Sequence, residues 1–347
     1  METSILDILE KALEYNASDV LLTAHTPPVL RINGELRPFE RSELAPKQIR
    51  ELVYKILTNE EMVEFEREKE LDFSVSLAGK YRFRGNLFLQ RGSIGASFRL
   101  IPGRIPSFEE LGLPSILKEI SLMQKGLILI SGPTGHGKST TQAAIVDYIN
   151  HHQRRHIITI ENPVEFVHKN KKSFIEQREV GFDTKSFASA LRHVLRQDPD
   201  VIQIGEIRDL ESIATALTAA ETGHLVITTL HTNDAAQSMD RIMDVFPPHQ
   251  QGQIKVQLSF TLLAVISQLL IPEKESGERA LATEVLRNTS AVANLIREGK
   301  THQLKGVMET QSGVGMHTLE SSIKKLYQNG TISRKEALAH IPESHLE

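Results

Sequence analysis

The apolar positions of the chain follow two rhythms. At the start, Ile5, Leu6, Ile8, Leu9 and Leu13 recur at helical spacing, so an amphipathic helix opens the sequence. Val20 to Leu22 reads as a strand, ended by Pro27 and Pro28. Val29 to Ile32 and Glu35 to Arg37 flank Asn33-Gly34, a pair that supplies the positive φ angles of a type I′ hairpin turn. A charged helix is expected over about Ala45 to Lys69. Beyond it Phe73, Val75 and Leu77 alternate, as do Tyr81, Phe83, Leu87 and Leu89, with Gly79 and Gly92 as turn signals; the pattern predicts a β-meander. Alternation sets Arg82 and Arg84 on the face opposite Tyr81 and Phe83, and Arg99, between Phe98 and Leu100, joins them from the next strand. No acidic residue lies between Lys80 and Leu100, so this face is expected to be basic, and solvent exposure alone accounts for such a face.

Pro102, Gly103 and Pro106 mark a linker over about 101–112. From 113 onward strands alternate with helices, the signature of a parallel sheet with covering helices. Four short apolar runs stand out: Leu127 to Ile130, His156 to Ile160, Val201 to Ile204 and Leu225 to Leu230. Each leads into polar residues, and ligands of open parallel sheets lie beyond the carboxyl ends of the strands. These four ends are therefore expected to converge on one crevice. Leu258 to Ile271, interrupted by Ser259, Thr261, Ser267 and Gln268, reads as a buried helix, and about 272–347 reads as helices. Within that last part Val292, Leu295 and Ile296 form an apolar stripe, ended by Gly299.

The first of the four strands carries the most specific chemistry. Gly132 to Ser139 fills the pattern G-x-x-x-x-G-K-[ST], with a helix expected over Thr140 to Asn150. Glycines at 132, 135 and 137 let the backbone turn its N–H groups into one concavity, at the positive end of the helix, which suits phosphate. Thr134, His136 and Thr140 belong to the same loop and helix start. Lys138 can reach the β- and γ-phosphates, and the Ser139 hydroxyl can ligate Mg²⁺. The segment Asp198 to Glu206 resembles a Walker B strand ending in Glu206, a carboxylate able to hold Mg²⁺ directly or through water. Glu161 and Glu165 are both candidates for the group that orients the attacking water. His224 and His231 bracket the fourth strand, roughly 20 Å apart if it is extended, too far to share a metal. His231, at the carboxyl end, can sense a γ-phosphate.

Composition narrows the picture. The chain has 347 residues, enough for two domains, and no Cys, which excludes disulfides and cysteine-ligated zinc. A formal net charge of −4 argues against nucleic acid as the main partner. The start of the sequence lacks the basic and apolar segments of a signal peptide, and no apolar run approaches the ~20 residues of a membrane span, so a cytoplasmic protein is expected.

Gly132 to Thr141, Ile160 to His168, Gly205 to Asp209, Thr222 to Leu225 and Thr229 to Asp234 together resemble the Walker A, Asp box, Walker B and His box of the type II/IV secretion ATPases. The resemblance runs from Ala17 to Asp19 through Gly313 to Thr318, and it is strongest to the members that retract type IV pili in twitching motility. It implies a smaller α+β PAS-like domain over 1–100, then a RecA-like P-loop ATPase domain of α/β class over 113–347. It also implies a homo-hexamer with active sites between subunits, placed at the cytoplasmic face of the inner membrane by a pilus platform protein. By the same resemblance Glu165 is the catalytic base, Glu206 supports Mg²⁺ and water, and His231 lies near the γ-phosphate. Arg82, Arg84 and Arg99 correspond to arginines that approach ATP, so that nucleotide state moves the N-terminal domain against the ATPase domain. An accessory ATPase, or an assembly or secretion ATPase, is the alternative. Three residues depart from the family pattern. Asn162 stands where the Asp box usually has an acid, His136 occupies a loop position often filled by Ser, and Gln203 interrupts an apolar strand. Leu295 to Lys300 resembles the family's retraction-associated segment.

Overall fold

The computed structural model describes residues 4–32, 34–39, 42–77, 81–101 and 103–346. The turn residues Asn33 and Gly79 and the linker's Pro102 lie outside them. Two units are present, Met1–Arg104 and Ile105–Glu347.

In the first unit, helix α1 (Ile5–Glu14) starts where the Ser4 hydroxyl accepts the Asp7 N–H and the Asp7 carboxylate returns the bond. Its buried stripe of Ile5, Ile8, Leu9 and Ala12 packs into the same core as a six-stranded sheet. The strands are β1 (Asp19–Leu22), β2 (Val29–Ile32), β3 (Glu35–Pro38), β4 (Glu70–Leu77), β5 (Tyr81–Gln90) and β6 (Ser93–Ile101), in the order β3-β2-β1-β6-β5-β4. The charged helix expected over 45–69 is two helices, α2 (Pro46–Tyr54) and α3 (Asn59–Glu68). Thr58 and Glu61 form a capping box that starts the second one. That box, T-x-x-E, was present in the sequence inside an otherwise continuous charged run.

The second unit begins before its first helix. Phe108 is buried and stacks on Tyr148 at 4.9 Å, so the residues from 105, read from sequence as the end of a linker, belong to this unit's core. The elements that follow are α4 (Ile116–Ser121), β7 (Gly126–Ser131), α5 (Lys138–His152), β8 (His156–Glu161), β9 (Phe174–Glu179), α6 (Phe187–Val194), β10 (Val201–Ile204), α7 (Leu210–Thr222), β11 (Leu225–Leu230), α8 (Ala235–Asp244), α9 (Pro248–Thr261), β12 (Leu262–Pro272) and β13 (Arg279–Arg287). Four helices end the unit: α10 (Ser290–Glu298), α11 (Leu304–Thr310), α12 (Leu319–Gln328) and α13 (Arg334–Leu338). The sheet order is β13-β12-β7-β11-β10-β8-β9, parallel except for the antiparallel β13.

The continuous apolar runs follow from this layering. Leu127, Leu129, Ile158, Ile160, Ile202 and Val226 face a core shared with α6, α7, α8 and α10. Their neighbours Ile128, Ile130, Ile157, Val201 and Ile227 face the other way, against α5. Two expectations fail at the C-terminal end. Leu258 to Ile271 is not one helix: α9 stops at Thr261 and the chain enters the sheet as β12 beside β7. The region from 272, read as helical, first contributes β13. Among the described residues no helix is long and apolar enough to cross a membrane.

Candidate nucleotide site

The loop after β7 takes its shape from three glycines with positive φ, Gly132 (145°), Gly135 (79°) and Gly137 (80°). Gly132 is the tightest. A Cβ there would lie 2.4 Å from the Gln268 carbonyl oxygen of β12, a backbone atom that cannot step aside. Gly132→Ala should therefore shift the loop and lower turnover on the order of 100-fold, the usual result of misplacing reacting groups by about 1 Å. Steady-state phosphate release checks this, and wild-type rates would mean that the loop yields without consequence.

The loop is braced from β12. The Gln268 side chain accepts from the Thr141 hydroxyl (2.9 Å) and donates to the His136 carbonyl, while the Leu270 N–H donates to His136 Nδ1 (2.9 Å). The His136 side chain thus faces β12, and its backbone is the part that belongs to the cradle. An accepting Nδ1 requires the neutral ring. Burial, with Arg279 and Lys138 nearby, lowers the His136 pKa in the same sense. No side chain caps the N-terminus of α5, whereas Ser186, Asp209 and Asp234 cap α6, α7 and α8. Uncapped first-turn N–H groups at a cavity wall suit an anion.

Beside this helix end lies a cavity of about 530 Å³. Thr134, Gly135, Gly137, Lys138, Ser139 and Thr140 line one side; Glu161, Asn162, Glu165, Glu206 and His231 come from the ends of β8, β10 and β11. The four strand ends do meet. Lys138 is buried, its ammonium donating to the Gly132 (2.8 Å) and Pro133 (2.9 Å) carbonyls. Burial lowers its pKa, opposed by the carboxylates of Glu206 and Glu165.

The two candidate acids of the Asp box differ in surroundings. Glu161 is buried and accepts from the Thr159 hydroxyl (2.6 Å) and the Gln177 amide (3.1 Å). Burial raises its pKa. Glu165 is exposed between buried Val164 and Phe166, so backbone alternation turns its carboxylate out to the cavity. Glu206 accepts from Arg208 (2.7 Å) and from His231 Nε2 (3.2 Å). With Nε2 donating, His231 Nδ1 is the acceptor toward the Thr134 hydroxyl, 3.5 Å away.

Two basic wall residues, Arg208 and Arg279, went unassigned from sequence. Arg208 was visible inside the segment Gly205 to Asp209, yet nothing there distinguishes a cavity arginine from a surface one. Arg279 donates to the Gly135 carbonyl (3.1 Å) from β13, a strand the apolar pattern did not disclose. His224 has a plain structural place: its Nδ1–H donates to the Ala219 carbonyl (2.9 Å) at the end of α7.

Arg82, Arg84 and Arg99 belong to the first unit. Arg84 and Arg99 are directly opposed across β5 and β6. The expectation of an uncompensated basic face is corrected: Asp19 of β1 lies 2.9 Å from Arg99, and Asp72 of β4 lies 3.7 Å from Arg84. Both acids fall outside the 80–100 window because they come from neighbouring strands.

The family model for type II/IV secretion system proteins matches residues 1–338. The chain belongs to that family. The type IV pilus retractation ATPase PilT of Pseudomonas aeruginosa is 46% identical over 342 residues, 98% of this chain and 99% of that protein. The type IV pilus ATPase PilU of the same organism is 41% identical, over 96% of this chain and 87% of its own length. The crystal structure of the pilus retraction motor PilT with bound ADP has a TM-score of 0.92 and 47% identity over 98% of both chains. The ATPase DotB of Legionella pneumophila has a TM-score of 0.80 at 27% identity, over 96% of this chain and 94% of its own. The second unit is accordingly a RecA-like ATPase domain.

Proposed function

We propose that this chain is an ATP-hydrolysing motor that retracts type IV pili, working as a homo-hexamer at the cytoplasmic face of the inner membrane against the pilus platform protein. The observation that carries the enzymatic part is the cavity itself: Glu165 is a carboxylate without a competing donor among the described contacts, facing the P-loop. Near-half identity to PilT along the full length of both chains supports the direction of force.

In this reading the loop N–H groups and Lys138 hold the β- and γ-phosphates. Water attacks the γ-phosphorus, its proton passes to Glu165, and the bond from that phosphorus to the bridging oxygen of ADP breaks. His231 contacts the γ-phosphate and is held in place by Glu206. The Ser139 hydroxyl and the Glu206 carboxylate fit Mg²⁺, a hard cation that would neutralise phosphate charge there. Arg82, Arg84 and Arg99 take the nucleotide-contacting role that the family resemblance assigns them. Arg84→Ala and Arg99→Ala are each expected to lower turnover several-fold in steady-state assays; wild-type kinetics in both would leave these arginines as partners of Asp72 and Asp19 alone.

A strain lacking the gene tests the direction. Surplus, non-retracting pili agree with retraction; bald cells would assign the chain to assembly. Asn162, on the cavity wall where the family usually has an acid, favours a second reading as an accessory subunit like PilU. Lys138-dependent turnover of the isolated protein separates the two, since an accessory subunit would show little.

A further inference from the structure

Strand β9 contributes nothing to the cavity wall, yet two of its side chains reach into the Asp-box segment that carries Glu165. Gln177 stands beside Thr159 and Glu179 beside Glu161 in the parallel pairing of β8 and β9. The Gln177 amide donates to Glu161 Oε1 (3.1 Å) and to the Phe166 carbonyl (2.8 Å), and its oxygen accepts the His168 N–H (2.8 Å). Glu179 Oε2 accepts the Val164 N–H (3.0 Å). The backbone is therefore tied at Val164 and at Phe166, one residue to either side of Glu165. Glu179 is itself fixed, its own N–H donating to Asp183 (2.8 Å).

We infer that Gln177, with Glu179, is a positioning residue for turnover: it holds the Asp-box loop so that the Glu165 carboxylate stands at the attacking water. The inference rests on Glu165 being the base. Its physical content is angular. Residues 162–170 form no helix or strand, so no ladder of backbone bonds fixes the direction of residue 165. Side-chain bonds from an adjacent strand do that work instead. A base must lie within hydrogen-bond reach of the proton it takes, so a loop that drifts by about 1 Å loses rate on the order of 100-fold without losing substrate.

The test uses the full-length protein with ATP and Mg²⁺. Gln177→Met keeps the volume and removes all three bonds. Gln177→Glu keeps the acceptor for His168 and removes the donors. Either variant is expected to lower kcat at least tenfold with ADP affinity within twofold of wild type. Each is also expected to cost less than twofold further when added to Glu165→Gln, because both substitutions disable the same step. Glu179→Gln, which preserves an oxygen acceptor for Val164, should retain kcat within about threefold. Wild-type kcat in both Gln177 variants would overturn the inference, as would parallel losses of kcat and ADP affinity or insoluble protein in both. Should Glu165→Gln alone retain turnover, the assignment of the base fails instead, and the two failures are thereby told apart.

Discussion

Glu165→Gln should leave nucleotide affinity within about twofold of wild type and lower turnover by about 10²–10⁴-fold, the contribution of a positioned general base. The amide has the carboxylate's shape, so Val164 and Phe166 still bury on either side and the loop keeps its course. What is lost is the ability to take a proton. No neighbour can replace it. Glu161 lies closest in sequence, but its carboxylate is buried and already accepts from the Thr159 hydroxyl and the Gln177 amide. Glu206 is engaged by Arg208 and His231. Single-turnover phosphate release beside ADP titration separates the two quantities. A variant that still hydrolyses ATP would move the base to one of those other acids.

Lys138→Ala is expected to abolish detectable turnover and weaken nucleotide binding by about 10–100-fold, the value of a charge-assisted hydrogen bond or two. Lys138 is the loop's own cation, held over the cradle by the Gly132 and Pro133 carbonyls. The other two cations of the cavity are committed, Arg208 to Glu206 and Arg279 to the Gly135 carbonyl. Lys138→Arg should not rescue, since a planar guanidinium cannot replace a point charge on a thin stem inside this turn. Calorimetric titration with ADP measures the affinity. Near-wild-type binding would mean that the backbone N–H groups alone carry the phosphates.

Much of the site could be read before any coordinates, for a physical reason. Strands buried on both faces are mostly apolar, and their polar carboxyl ends then stand out as punctuation. Leu127 to Ile130 followed by Gly132, and Val201 to Ile204 followed by Glu206, are of that kind. The elements that escaped lack such punctuation. β12 follows α9 with neither Gly nor Pro between Thr261 and Leu262, so one apolar stretch hides a change from helix to strand. Strand β9, Phe174 to Glu179, lies at the sheet edge and is mostly polar, so its alternation carries little signal. With those strands went the braces they supply: Gln268 under the P-loop, Arg279 on the cavity wall, and Gln177 and Glu179 under the Asp box. The choice between Glu161 and Glu165 was also beyond the residues themselves. It turns on burial and on the donors Thr159 and Gln177, which the folded chain brings to Glu161.

The central claim is that one terminal phosphate sits where the ends of β8, β10 and β11 face the loop after β7. A structure of the assembled protein with Mg²⁺ and a non-hydrolysable ATP analogue tests it most directly. The account predicts Lys138 on the β- and γ-phosphates, His231 against the γ-phosphate, and the Glu165 carboxylate within about 6 Å of the γ-phosphorus, the reach of a base through one water. A terminal phosphate bound in the same loop but turned away from all three strand ends, with Glu165 well beyond that reach, would contradict it.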